Sequence, residues 1–267
     1  MDMIVCCKQV LDPEAPPASF KVDPATNKVV PPQGVPPVIS PFDEQALEAA
    51  LRIKDAQKGG KITVISLGTN LLRDVVKKPL SMGADELVLL EDPAFIEGDS
   101  WSTAYALAMA IRKIGKFDLV FCGRQAADSD AGQVGAGIAE VLGLPSVTVA
   151  KKVEAMDGKA RVERVIADGY EVVEVSLPAL ITVSNELGAA RYPTIKGIMA
   201  AKRKEPITWH PADLGVDASK IGATGRRAKL DKLFQPVREA KCEIITGDTP
   251  EEAATKLALK LREAKAL

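Results

Sequence analysis

The residues best suited to chemistry lie in the stretch FCGRQAADSDAGQVGAGIAEVLG, residues 121–143. An apolar run ends in Gly123, a loop of small residues carries Asp128 and Asp130, and a helical pattern follows. The first amides of a helix have no intrahelical partner and carry partial positive charge, so a helix start behind a loop of small residues suits a phosphate. Ala131, Gly132 and Gly135 are small enough to let an anion approach the backbone. In such a site Asp128 or Asp130 caps the loop's own amides or accepts from ribose hydroxyls, and Arg124 offers a counter-charge. The loop lacks both the GK[ST] ending of a P-loop and the GxGxxG of a dinucleotide fold. Its physics alone leaves nucleotide binding and a plain strand–turn–helix connection both open.

Outside this loop no catalytic constellation is legible. The single histidine, His210, stands beside Pro211 in an unpatterned region and reads as a surface residue. No serine sits in a GxSxG elbow. Cys6, Cys7, Cys122 and Cys242 show no CxxC spacing, which makes a zinc or iron–sulfur centre an unexpected use for them and buried structural thiols of a reducing cytosol the expected one. Glu251-Glu252 and Lys202-Arg203-Lys204 suit the two ends of helices, where the dipole favours them.

Composition narrows the class. The chain has 35 basic and 36 acidic residues, so no global field draws it to nucleic acid or a membrane surface. Aromatics make up 4%, too few for a platform that stacks single-stranded bases. The opening MDMIVCCKQV has neither the charge nor the apolar length of a signal peptide, and no segment has membrane-spanning length.

The elements that must position the loop follow in order. MIVCCKQV (3–10) reads as a buried first strand, trailed by a proline-rich arm from Pro13 to Pro41 in which FKVDPATNKVV fits a small hairpin. SPFDEQALEAALRIKDAQKGG (40–60) carries full helix punctuation: Ser40 as N-cap, Pro41 at the first position, Asp43 and Glu44 in the first turn, Gly59-Gly60 as the stop. KITVISLG (61–68), ELVLLED (86–92) and FDLVFCG (117–123) read as buried strands. Between them lie helical patterns at 70–82, broken by Pro79, and at 100–115, and a further helix runs from Gly132 to Leu142. This alternation predicts an α/β fold: a doubly wound, mainly parallel sheet, extended by antiparallel strands after about residue 145. TIKGIMAAKRK (194–204) reads as a short helix and TPEEAATKLALKLREAKA (249–266) as an amphipathic one. The poorly patterned stretch between them points to an arm on another subunit. The expected division is a nucleotide-binding domain over 1–217 and a C-terminal arm over 218–267.

Taken together, VCCKQVLD, SPFDEQALEAALRIKD, SLG with MGADE, GRQAADSDAGQVG, VERVIADGYEVVEVSLPALITV and ARYPTIKGIMAAKRK resemble the β subunits of electron transfer flavoproteins, over residues 3 to 217. The resemblance implies a heterodimer whose α subunit carries an electron-transferring FAD, and an adenine nucleotide in this chain. It assigns that nucleotide to Cys6, Ser40, Pro41, Phe42, Asp43, Leu67 and the loop Gly123, Arg124, Gln125, Ala126, Ala127, Asp128, Ser129, Asp130, Ala131, Gly132, Gln133 and Val134, with backbone at Gly132, Gln133 and Val134 on the phosphate. Phe42 would also approach the α-subunit flavin. Leu187 falls where the family has a recognition loop whose leucine docks on partner dehydrogenases, the alternative being an ordinary core residue. Ser40, Pro79, Ala167 and Pro13 depart from the family pattern.

The D-x-D-x-x-Q-V-G form, with Val134 rather than threonine, is more similar to electron-bifurcating members. In those the β-subunit nucleotide is a second FAD that takes electrons from NADH, passing one to ferredoxin or flavodoxin and the other to a dehydrogenase or quinone oxidoreductase. The alternative is a non-bifurcating subunit that binds AMP and shuttles electrons from acyl-CoA-type dehydrogenases; on either reading the expected location is the cytoplasm. Two competing classes are a stand-alone adenine-nucleotide sensor and an NAD-dependent dehydrogenase; the long C-terminal third speaks against the first, and the missing fingerprint loop and acid–base pair against the second.

Overall fold

A computed structural model describes residues 1–236 and 242–266. The chain opens with β1 (Asp2–Cys6) and β2 (Gln9–Val10), followed by a hairpin of β3 (Lys21–Asp23) and β4 (Lys28–Val30), and by β5 (Val38–Ile39), which pairs with β2. Next come α1 (Pro41–Ala56), β6 (Lys61–Leu67), α2 (Arg73–Val76), α3 (Lys78–Met82) and β7 (Glu86–Leu90). α4 (Ser100–Ile114), β8 (Leu119–Gly123) and α5 (Val134–Leu142) complete the alternating half. Three longer strands follow, β9 (Ser146–Met156), β10 (Lys159–Ile166) and β11 (Gly169–Ser176), and then the five-residue β12 (Ala179–Val183). The rest comprises α6 (Ile195–Arg203), β13 (Ile207–Trp209), α7 (Pro211–Leu214), α8 (Gly222–Gly225) and α9 (Pro250–Glu263).

Nine strands form one sheet in the order β11-β10-β9-β12-β8-β1-β6-β7-β13. β9, β12, β8, β1, β6, β7 and β13 are joined in parallel, and β10 runs against both its neighbours. The additions after residue 145 are thus antiparallel only around β10; β12 enters the sheet parallel to β8. The mainly parallel, doubly wound α/β class follows from strands that read as near-continuous apolar runs because both faces are covered. Met3, Val5 and Cys7 of the first segment enter one core cluster with Leu47, Leu51 and Leu80, while Ile4 and Cys6 enter the other with Leu107, Ile111 and Ile138. Adjacent residues of a strand point to opposite faces, as expected for Cys6 and Cys7.

Pro79 does break the helical pattern it interrupts: α2 ends at Val76 and α3 begins at Lys78, with the proline in its first turn. The stretch after residue 205 differs from the expected unpatterned arm. Ile207–Trp209 is the edge strand of the main sheet, and Trp209, Leu214, Val216 and Ile221 pack on the second core cluster. A three-residue strand and one-turn helices are too short to show a period. Two compact units are distinguished, Met1–Lys21 with Val29–Lys232, and Val22–Lys28 with Leu233–Leu267. Within the second, Leu233 donates its N–H to Asn27 Oδ1 at 3.1 Å. There α9 carries the expected Thr249 cap, whose hydroxyl accepts from Glu252 N–H, with Pro250 at the first position.

Candidate functional site

The chain runs from β1 to β6 and β7 on one side of the sheet, then crosses to β8 on the other side of β1. Strand order therefore reverses between β1 and β8. In an open parallel sheet the crevice at the carboxyl ends of such a pair is where ligands bind. β1 ends at Cys6 and β8 at Gly123.

Asp43, buried in the first turn of α1, joins these two strand ends. Its Oδ1 accepts the N–H of Gly123 at 3.0 Å and its Oδ2 the N–H of Lys8 at 2.8 Å. Burial pushes its carboxyl up to about 7, against the pull of those two amides. Gly123 is required by this closeness: a Cβ there would lie 2.6 Å from Asp43 Oδ1 and 2.7 Å from Phe42 Cβ. Ser40 adds a second tie. It is buried, donates its N–H to the Lys8 carbonyl at 2.9 Å, and its own carbonyl accepts the Asp43 N–H at 2.9 Å.

Several expected roles change at this point. Ser40 holds the N-cap position, but its hydroxyl makes no cap; it accepts from Ala127 N–H, at 3.4 Å, across to the loop. Asp128 and Asp130 do not cap the loop's own amides. Asp128 pairs with Lys8 Nζ at 2.7 Å, and Asp130 Oδ1 accepts from Gln125 Nε2 at 2.7 Å. The turn itself closes through main chain, Asp130 N–H to Ala126 carbonyl at 2.9 Å. Arg124 lies over the ring of Phe42, 5.3 Å from its centre, and its Nη1 donates to Asn185 Oδ1 at 3.5 Å. Asp130 and Gly132 take positive φ (50° and 63°), the conformation that small or Asx residues tolerate, and so turn the chain into α5. The helix starts at Val134, two residues later than its sequence pattern, with Gln133 before it.

Cys6 and Cys122 lie side by side at the strand ends on one face of the sheet. The neighbouring Cys6 thiol and burial push the Cys122 thiol up, and burial does the same for Cys7, so neither is an activated nucleophile. Leu67, at the end of β6, is half-buried and packs on the second cluster. Ser40, Phe42, Asp43, Gly123, Arg124, Ala127 and Asp128 are thus linked in one constellation around the β1 and β8 ends. Lys8 belongs to the same group; it lies in the VCCKQVLD stretch that carries the resemblance, but the sequence assigns it no role.

Leu187 is not part of it. It is 7% exposed and packs in the first core cluster, and its carbonyl accepts from Arg52 Nη1 at 3.1 Å. The most exposed apolar groups of that region are Tyr192, at 91%, and Ile195, at 84%. Buried Glu48 ties the segment down through Arg191 Nε at 2.7 Å and Arg52 Nε at 2.9 Å; burial alone would raise its carboxyl, but the two guanidiniums hold it below its usual value.

A depression of about 620 Å³ lies at the opposite, amino-terminal end of the strands, lined by Met1, Phe117, Asp118, Met156 and Pro178 among others. It contains none of the constellation.

Residues 28–214 match the electron transfer flavoprotein domain family. The chain belongs to that family. It is 41% identical over 264 residues to the caffeyl-CoA reductase–Etf complex subunit CarD of Acetobacterium woodii, covering 98% of each chain. It is 44% identical over 252 residues to the electron transfer flavoprotein subunit beta of Thermoanaerobacterium thermosaccharolyticum, 94% of each. Protein FixA of Azorhizobium caulinodans is 40% identical over 249 residues, 90% of this chain and 86% of its own. The chain is accordingly of the electron transfer flavoprotein β-subunit type and its role is electron transfer, in association with flavin or adenine nucleotide and with an α subunit. A subunit of this kind positions a cofactor rather than making bonds itself. No helix among the described residues is long and apolar enough to cross a membrane.

Proposed function

We propose that the crevice between β1 and β8 holds the adenylate part of an FAD, and that the chain works as the β subunit of an electron-bifurcating flavoprotein. The observation that carries the nucleotide reading is the junction at the strand-order reversal, where Asp43 draws Gly123 and Lys8 together behind a loop leading into α5. The residues fit the group. The loop from Asp128 to Gln133 is exposed, its side chains are short up to Gly132, and it ends at the unpaired amides of a nine-residue helix. Asp128 and Asp130 are acceptors of the type that ribose hydroxyls need. What supports FAD over AMP is the Val134 form of the loop, which resembles the bifurcating members.

When bound, flavin supplies the one- and two-electron chemistry. The chain's own part is to hold it. α5 and the loop amides take the phosphate, Phe42 and Arg124 form a flat, cationic wall beside the crevice, and the buried strand ends exclude water beneath it. The donor in this reading is NADH, with ferredoxin or flavodoxin as one acceptor. The likeness to a subunit of a caffeyl-CoA reductase complex supports a dehydrogenase acting on CoA esters as the other. Docking on that partner passes from buried Leu187 to Tyr192 and Ile195, whose segment Glu48 holds in shape.

The test is to co-purify the chain with its α subunit and count cofactors. Two FAD per heterodimer are expected. One FAD with one AMP would overturn bifurcation and keep the nucleotide site; one FAD with no other adenine nucleotide would overturn the site.

A further inference from the structure

The loop poses an electrostatic problem. Asp128 and Asp130 both lie within it and Asp43 sits behind it, so a phosphate arriving there meets three carboxyl groups. Helix-start amides offer only about half a charge in return. Arg124, the cation within the loop, is turned onto Phe42 and Asn185.

We propose that Lys8 is the phosphate-binding cation of this site, held in reserve on Asp128 and transferred from it to a phosphate oxygen when the nucleotide enters. The proposal rests on the reading of the crevice as an adenylate site. Lys8 is fixed by its main chain on both sides: its N–H is held by Asp43 Oδ2 at 2.8 Å, and its carbonyl accepts Ser40 N–H at 2.9 Å. Its backbone is therefore part of the junction, and only the side chain is left to move. That side chain reaches 120 residues along the sequence to the loop, with Nζ 2.8 Å from Asp128 Oδ1 and 2.7 Å from Oδ2. The pair is solvated, with side-chain exposures of 45% and 33%, and so belongs to the weak class of ion pairs. A phosphate dianion is the stronger partner for an ammonium. Exchange also releases the Asp128 carboxylate, an acceptor on the same loop.

A bracing role for the pair makes different predictions. If Lys8 only shapes the loop through Asp128, removing its charge should weaken every adenosine-containing ligand alike. If Lys8 binds phosphate, the loss follows the phosphate. The experiment uses the full chain in its heterodimer, stripped of nucleotide, and measures AMP and adenosine affinity by titration calorimetry for the wild type and for Lys8→Met and Lys8→Arg. Because the fixed contacts of Lys8 are main-chain ones, Lys8→Met should keep the fold, which circular dichroism checks. Lys8→Met is expected to weaken AMP by about ten-fold or more while leaving adenosine unchanged, the size of a lost charge-assisted hydrogen bond. Lys8→Arg should recover most of that loss. Equal losses for AMP and adenosine, or an unchanged AMP affinity in Lys8→Met, would overturn the proposal. A wild-type heterodimer that binds neither ligand would overturn the adenylate reading itself, and this assignment with it.

Discussion

Replacing Asp43 by asparagine removes the one buried carboxyl at the junction, and its effect on stability should depend on pH in a way the structure dictates. Burial pushes this carboxyl from its ordinary 3.8 up to about 7, while the N–H groups of Lys8 and Gly123 favour the ionised form. The native protein therefore keeps a proton that the unfolded chain gives up between pH 4 and 7. Stability falls as pH rises through that window, and the cost is complete only above pH 7. Raising the pKa by about three pH units corresponds to roughly 4 kcal/mol in full, of which about 2–3 kcal/mol falls between pH 5 and pH 8.

That interval is free of the other shifted groups. Asp99, which burial would raise, is held at about 2 by the amides of Ser102, Ala228 and Arg227, and Glu48 by its guanidiniums below its usual value; Cys7 and Cys122 lie above it. Urea unfolding of wild type and Asp43→Asn from pH 5 to 8 reads the difference directly. The asparagine amide points an N–H at one of the two backbone donors, which costs about 1 kcal/mol at every pH and lowers the variant's curve without tilting it. The wild-type curve should fall relative to the variant's by about 2–3 kcal/mol across the interval. Parallel curves would refute the reasoning, because Asp43 would then not be the group that titrates.

Two further outcomes follow from the packing. Gly123→Ala places a methyl within 2.6–2.8 Å of Asp43 Oδ1 and Phe42, atoms held by a helix start and a strand end, so unfolding should be easier by about 1–3 kcal/mol and cofactor content should drop. Ile195→Asp should leave the unfolding midpoint unchanged and slow electron exchange with the partner roughly ten-fold. Leu187→Ala should do the reverse, costing about 2–4 kcal/mol of stability with little effect on docking; swapped results would return the docking role to Leu187.

Much of this architecture is legible in the sequence because parallel strands covered on both faces must be largely apolar, as 62–67, 87–90 and 119–123 are. α1 is equally plain, since Pro41, Asp43 and Glu44 can only suit a first turn. What the sequence hides is direction and distance. Leu187 and Ile195 are both apolar residues of one segment, and nothing local tells which faces the core. Ser40 carries a capping hydroxyl, but the loop amide of Ala127, 87 residues away, takes it instead. Ile207–Trp209 has a strand's residues without a strand's length, and only the open edge beside β7 gives it a partner.

The same limit explains the loop's charge. Read along the chain, two aspartates and no lysine in a phosphate-shaped turn look contradictory. In the fold each acid has an answer from a different distance: Asp130 is held within the loop by Gln125, and Asp128 by a lysine that follows β1. Asp43 pins the backbone of that same lysine, so the group that positions the cation also fixes the strand end the loop grows from. A site assembled this way draws its charges from three separate segments, and its motif is accordingly a junction of chain ends that no single stretch of sequence displays.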